Sequence, residues 1–150
     1  MDICWQIAVV SSDAEHRRRI TTALMRLGID PVCVSGVSQC RELLSEQQFN
    51  LIFCDRVFFD GDYEDILAAS HAAAWHPFVV LACRHNHIEY EKALSSGIFG
   101  VITEACHPYD VESMVIQTKR VYCKRARTST QFTLMRSVPD WQTTRRAAAE

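Results

Sequence analysis

Five short apolar runs alternate with five helix-like segments along the chain, and this order constrains the fold more than any other feature. The apolar runs, each bounded by polar or turn-forming residues, are Ile7–Val10, 31–34, Leu51–Asp55, Phe78–Ala82 and 100–103. Continuous apolar runs of this length are typical of strands that are covered on both faces. Strict alternation of strands and helices with short connections predicts parallel strands, right-handed crossovers and a three-layer α/β/α sandwich.

Apolar residues at helical spacing mark the segments between these strands. Ile20, Ala23, Leu24 and Leu27 repeat at positions i, i+3, i+4 and i+7, and Gly28 follows as an expected helix end. Ser12 and Glu15 have the spacing of a capping box, which predicts that this helix begins after Ser12. The fourth helix is expected to end at Gly97, and the fifth to span about 109–127.

Length and composition favour one domain without a strong electrostatic preference. We assign residues 1–127 to this domain and residues 128–150, where Ser, Thr, Gln and Arg dominate, to a C-terminal extension that is disordered or binds a partner. The formal charge of −2 gives no general attraction to nucleic acid or to anionic lipid. Without a membrane-length apolar run or a basic N-terminal leader, the chain is expected to be cytoplasmic, with its seven cysteines reduced.

Asp55 ends the third apolar run and is the leading candidate for a functional residue. The carboxyl ends of parallel strands meet at the edge of the sheet where open α/β proteins bind ligands. Asp13, Asp60 and Asp62 follow strand ends or lie in the next loop and would add carboxylates to this edge. Asp55 is therefore a phosphoacceptor, a ligand-binding carboxylate or a solvated strand end.

This order of elements resembles the receiver domain of two-component response regulators, the chemotaxis-regulator-like class. The resemblance rests on Val9 and Val10 before a polar corner, on Asp55 at the end of strand three, and on Gly97 and Gly100 beside strand five. It implies a flavodoxin-like five-stranded parallel sheet in the order 2-1-3-4-5. It also implies that Asp55 matches the aspartate that accepts a phosphoryl group from a histidine kinase.

The residues around Asp55 depart from the receiver pattern. The resemblance implies an acidic pair that holds Mg²⁺ after strand one, but Ser11 and Ser12 stand there, with Asp13 one position late. Serine hydroxyls are poor ligands for a hard cation that requires charged oxygens. By spacing, Ala82 replaces the hydroxyl residue that ends strand four, and Glu104 replaces the lysine after strand five.

A glutamate at position 104, where the resemblance implies a lysine, would add a repulsive electrostatic energy whose magnitude can be estimated. Two like charges about 5 Å apart repel by roughly 3 kcal/mol at an effective dielectric constant of about 20. If it faces the site, Glu104 would therefore oppose phosphorylation. The departures predict a degenerate receiver, or pseudo-receiver, with weak or absent phosphorylation at Asp55.

The predicted function is signal transduction by protein–protein contact rather than catalysis. The resemblance implies a histidine kinase or an output protein as partner, and pairing through residues 88–96, 101–104 and 109–127, which includes a homodimer. One alternative is a working phospho-receiver that accepts phosphate at Asp55. An alternative of another class is a flavodoxin-like module that binds a metal or a small ligand.

Other patterns give weaker indications. Soft ligands suited to zinc or copper lie near the same edge, at a spacing that matches no standard zinc motif: Cys83, His85, His87, Cys106 and His107. Cys54 is not favoured as an oxidant sensor, because the adjacent carboxylate of Asp55 raises the pKa of a thiol. The cations of the last helix complement its dipole, and the chain carries neither a nucleotide-binding glycine loop, nor a GxSxG motif, nor a recognition-helix motif.

Overall fold

The computed structural model describes residues 5–82, 87–103 and 106–136. The helices in these ranges are Ala14–Arg26 (α1), Val37–Glu46 (α2), Tyr63–Ala72 (α3), His87–Ser96 (α4) and Pro108–Arg136 (α5). The strands are Ile7–Val10 (β1), Val32–Val34 (β2), Leu51–Asp55 (β3), Val57–Phe58 (β4), Gly61–Asp62 (β5), Phe78–Ala82 (β6) and Gly100–Ile102 (β7). None of the helices described is long and apolar enough to cross a membrane.

Five of these strands form one parallel sheet in the order β2-β1-β3-β6-β7. The flavodoxin-like sheet predicted from the sequence is confirmed, and the predicted order holds when these five strands alone are counted. The difference in numbering comes from β4 and β5, which pair antiparallel in a separate hairpin. The hairpin lies in the segment predicted as a loop, 56–62, because strands of two residues are too short to show a hydrophobic period.

Both faces of the sheet are covered, which confirms the three-layer sandwich. One face packs with α2, α3 and α4 in a cluster that includes Val10, Ile52 and Cys54. The other face packs with α1 and the beginning of α5 in a cluster that includes Val9 and Phe53. Successive residues of β3 alternate between the two clusters, and Leu51 to Cys54 are at most 1% exposed. Strand β3 is therefore the centre of the core.

The ends of two helices differ from the sequence predictions. Asp13, rather than Ser12, caps α1, since its carboxylate accepts the backbone N–H groups of Glu15 and His16. The last helix does not end at Arg127 but continues to Arg136. The first part of the predicted extension is thus helical, while residues 137–150 lie outside the described ranges.

The chain divides into two units, Met1–Thr118 and Lys119–Glu150. The boundary between them falls within α5. The core, the sheet and the edge that carries Asp55 all belong to the first unit. The assignment of residues 1–127 to one domain and of residues 128–150 to an extension stays a prediction.

Two loop carboxylates proposed for an acidic pocket serve as helix caps instead. Asp60 accepts the backbone N–H groups of Val37 and Ser38 at 2.9 Å each, and these bonds lower the pKa of its carboxyl group. Asp62 accepts backbone N–H groups at the start of α3 and forms a capping box with Asp65. Both carboxylates therefore satisfy amides that a helix N-terminus leaves unpaired.

Truncation of Phe53 should destabilise the protein strongly. Phe53 is 0% exposed at the centre of the sheet, so Phe53→Ala should lower the free energy of unfolding by about 3–5 kcal/mol through lost burial and a residual cavity. Phe59→Ala is the matched control, because Phe59 is 80% exposed. Urea denaturation of both variants checks this, and an equal loss of stability in both would contradict the described core.

Candidate functional site

Three strands bring the predicted site residues to one edge of the sheet. In the parallel register, Val10 pairs with Cys54 and Asp55 pairs with Ala82. Ser11 follows β1 directly, and its backbone N–H donates to the carbonyl of Val34 at 3.0 Å. Ser11, Asp55 and Ala82 are therefore neighbours at the carboxyl edge, as the sequence predicted.

Ser11 is fully buried and bonded directly to Asp55. Its hydroxyl donates to Asp55 Oδ2 at 2.7 Å, and its Oγ accepts the backbone N–H of Asp13 at 3.2 Å. The guanidinium of Arg17 donates to the Ser11 carbonyl. Ser12 is exposed and takes no part in this network. Of the two serines at this corner, Ser11 is the one that holds the carboxylate.

His16, in the first turn of α1, contacts the other oxygen of Asp55. Its Nδ1 lies 2.6 Å from Asp55 Oδ1, and the side chains of His16 and Asp55 are 11% and 15% exposed. The bond to Asp55, followed by the contact with Cys106, raises the pKa of His16 to about 10. At neutral pH His16 is therefore an imidazolium that donates from both ring nitrogens, and it forms an ion pair with Asp55.

Cys106 completes a row of side chains that runs away from Asp55. Its Sγ lies 2.8 Å from His16 Nε2, and the residue is 2% exposed. A single imidazole ring therefore bridges a carboxylate on one side and a sulfur atom on the other.

The predicted soft-metal cluster is only partly described. Cys106 faces His16, and the exposed ring of His107 stacks on Tyr109 at a centroid distance of 5.8 Å. Cys83 and His85 lie outside the described residues, as does the side chain of His87. In the described part of the chain, no group of three or more metal-ligating side chains is arranged to hold an ion.

Of the two other positions that depart from the receiver pattern, Ala82 and Glu104, the structure describes only Ala82. Ala82 ends β6 beside Asp55 and is 3% exposed, so a methyl group stands where the resemblance implies a hydroxyl. Glu104 lies outside the described residues. Its predicted opposition to phosphorylation stays a prediction.

A cleft of about 560 Å³ opens at this edge of the sheet. Charged residues of both signs and two apolar residues line it: Asp13, Glu15, His16, Arg19, Asp55, Arg56, Val57 and Ala82. The carboxylate of Glu15 is paired with Arg18 at 2.6 Å and lies 3.5 Å from Arg19. The cleft therefore has mixed charge rather than the concentrated negative charge of an acidic pocket.

The side chains at the cleft do not fit Mg²⁺. This ion requires charged oxygen ligands in near-octahedral array. Asp55 gives one oxygen to Ser11 and the other to the His16 cation, while Asp13 caps α1. A protonated imidazole 2.6 Å from the carboxylate also repels a second cation there. We therefore assign no metal to Asp13 or Asp55.

The sequence analysis missed His16, although a signal for it exists. Ile20, Ala23 and Leu24 are the buried stripe of α1. His16 precedes Ile20 by four positions and so lies one turn earlier on the same stripe. Because α1 begins beside the carboxyl edge of β1, this turn faces Asp55. A titratable residue at the end of an apolar stripe was the available clue.

The fold is similar to that of solved receiver domains. The signal receiver domain of an HD domain-containing protein from Pseudomonas fluorescens Pf-5 matches with a TM-score of 0.74 at 17% identity, over 85% of this chain and 96% of that chain. A CheY-like receiver domain protein from Methanospirillum hungatei JF-1 has a TM-score of 0.71 and 15% identity over 81% and 99%. The Francisella response regulator 1452 receiver domain has a TM-score of 0.67 and 16% identity over 80% and 98%.

The sequence matches no protein-family model and no curated protein. At identities this low, the structural matches establish the fold alone. The chain has the receiver fold, and its carboxyl edge carries a histidine–aspartate ion pair.

Stability should fall at alkaline pH through His16. A pKa raised from 6.5 to about 10 on folding means that the ion pair stabilises fully below pH 6.5 and loses its effect as the pH rises toward 10. The free energy of unfolding should drop over this window by an amount on the order of 3 kcal/mol. Urea denaturation at several pH values measures it.

His16→Gln should remove most of this dependence on pH. His71→Gln, which changes an exposed histidine on α3, should retain it. The same alkaline drop in the His16 variant would mean that another group causes it.

Proposed function

We propose that this chain is a cytoplasmic signalling domain of the two-component type that acts through protein–protein contacts and accepts phosphate at Asp55 weakly or not at all. The observation that carries the proposal is the ion pair between His16 and Asp55, together with the Ser11 hydrogen bond. Both carboxylate oxygens are occupied by donors from the same chain. The receiver fold supplies the signalling context, as an implication of the resemblance.

Phosphoryl transfer to a carboxylate requires an accessible nucleophilic oxygen and stabilisation of the charge that builds up in the transition state. The side chain of Asp55 is 15% exposed, and a cation already neutralises its charge. An added phosphoryl group would have to displace His16 or Ser11, and the methyl group of Ala82 offers no new hydrogen bond. These features support a site in which the ion pair replaces the phosphorylation machinery.

The proposed contact surface lies around β7, which is one of the two edge strands of the five-stranded sheet. Exposed apolar side chains lie on the two helices that flank it, α4 and the first turns of α5: Tyr90, Leu94, Tyr109 and Ile116, which are between 39% and 76% exposed. An edge strand flanked by exposed apolar groups is a surface that favours association. A second copy of the chain is the partner that we propose for it.

A phosphodonor should leave Asp55 largely unmodified. We expect that acetyl phosphate with Mg²⁺ adds little or no phosphoryl mass to the wild-type protein, because His16 and Ser11 occupy both oxygens of the acceptor. Intact-mass spectrometry measures this, with Asp55→Asn as the control for modification elsewhere. Stoichiometric added mass that Asp55→Asn abolishes would instead establish a working phospho-receiver.

The same experiment with His16→Ala tests the role of the ion pair. Removal of the imidazolium frees Asp55 Oδ1, so any Asp55-dependent phosphorylation should increase in this variant. If the wild-type protein and both variants carried a bound metal or small molecule in native mass spectra, the ligand-binding alternative would be favoured.

Substitution on the proposed surface should weaken self-association. Ile116→Glu places a charge on an apolar side chain that is 43% exposed, and it should raise the dimer dissociation constant at least about tenfold without unfolding the protein. Met25→Glu is the matched control, because Met25 is 59% exposed on α1. Sedimentation equilibrium measures both. A monomeric wild-type protein, or equal effects of the two substitutions, would contradict this surface.

A further inference from the structure

Cys106, His16 and Asp55 form a chain of contacts whose chemistry the proposed signalling role does not use. The sulfur of Cys106 is 2.8 Å from His16 Nε2, and His16 Nδ1 is 2.6 Å from Asp55 Oδ1. A carboxylate fixes the orientation of the imidazole, and the imidazolium faces the sulfur of Cys106 on its other side. A neighbouring imidazolium favours the thiolate, which is the reactive form of cysteine.

The backbone at Cys106 supports a fixed position for the sulfur. Cys106 has a φ of 49°, in the left-handed region that is unfavourable for a non-glycine residue. Its N–H donates to the Thr103 carbonyl at 2.9 Å. Such a conformation persists where the surrounding structure determines it, and here it accompanies a sulfur that lies against His16.

Cys40 shows what burial alone does to a thiol in this protein. It is fully buried on α2, and burial raises its pKa to about 11, so it is a protonated and unreactive thiol at neutral pH. Cys106 is also buried, at 2% exposure, but it contacts an imidazolium. The two residues therefore differ in electrostatic environment and not in access to solvent.

Access to Cys106 limits the size of a reactant. Cys106 does not line the cleft, but His16 does, so the sulfur lies one imidazole ring away from open space. An oxidant that reaches this sulfur therefore has to be small. The position favours a small, polar, two-electron oxidant.

We propose that Cys106 is a modification site, a sulfur paired with His16 that small hydroperoxides oxidise to a sulfenic acid. The thiolate sulfur attacks one peroxide oxygen, so that an S–O bond forms and the O–O bond breaks. The leaving hydroxide takes the Nε2 proton of His16 and departs as water. Sulfur is oxidised by two electrons and the peroxide is reduced by two, so no further reactant is needed.

Oxidation at this position would act on Asp55 through His16. The sulfenic acid carries no charge and adds an oxygen atom to a contact that is already 2.8 Å long. Because His16 has given its Nε2 proton to the leaving hydroxide, the imidazole is no longer a cation, and its ion pair with Asp55 is weakened. The state of the thiol is thereby coupled to the carboxylate at the carboxyl edge of the sheet.

The test compares Cys106 with Cys40 in the full-length protein. Substoichiometric hydrogen peroxide is added to the folded protein, the protein is then denatured in excess sulfenic-acid trap of the dimedone type, and trapped cysteines are quantified by peptide mapping. Cys106 should be trapped at least about tenfold more than Cys40, since the thiolate is the nucleophile. Equal trapping of the two residues would overturn the proposal, and this comparison requires no variant.

A histidine variant separates the role of His16 from burial. His16→Gln should reduce trapping at Cys106 to the level of Cys40, whereas His71→Gln, on the exposed surface of α3, should leave it unchanged. Unchanged trapping at Cys106 in a folded His16 variant would contradict the role proposed for His16. Because this readout is independent of phosphate, its failure and the failure of the proposed function are distinguishable.

Discussion

The central position of β3, paired in parallel with β1 and β6, is the constraint on which the site depends. Its four apolar residues fill both halves of the core, which fixes the register against both neighbours. A shift by one residue would exchange the faces of every side chain and bury Asp55. The requirement to bury Leu51 to Cys54 is therefore also what delivers the carboxylate to the carboxyl edge, next to Ser11 and Ala82.

Sequence patterns predicted the sheet because its strands bury both faces and are bounded by turn residues, as Leu51–Asp55 shows. They could not predict the β4–β5 hairpin, which consists of two-residue strands, or the capping of α2 by Asp60, which lies 22 positions beyond Ser38. Non-local contacts of this kind leave no periodic signal in the sequence. The cap of α1 has a local cause instead: Ser12 was favoured because Ser12 and Glu15 have the capping-box spacing, whereas the carboxylate of Asp13 is the acceptor in the structure.

The candidate site was predicted in part for a related reason. Ser11, Asp55 and Ala82 follow strand ends, so the topology alone brings them together. His16 and Cys106 are 90 positions apart and reach the site from a helix and a turn, with side-chain directions that the sequence does not specify. His16, whose charge balances that of Asp55, lies on a helix and not at a strand end, so the positions of the strand ends could not predict it.

The negative charge of Asp55 is balanced by the positive charge of His16. A buried carboxylate is costly unless a cation or several hydrogen bonds accompany it. Ser11 and Ser12 follow β1 with uncharged hydroxyls, and His16 supplies the positive charge from within α1. A fixed imidazolium differs from an exchangeable ion in one respect, because it cannot leave. The carboxylate is thus held by groups of its own chain, and a ligand of Asp55 has to displace His16 or Ser11.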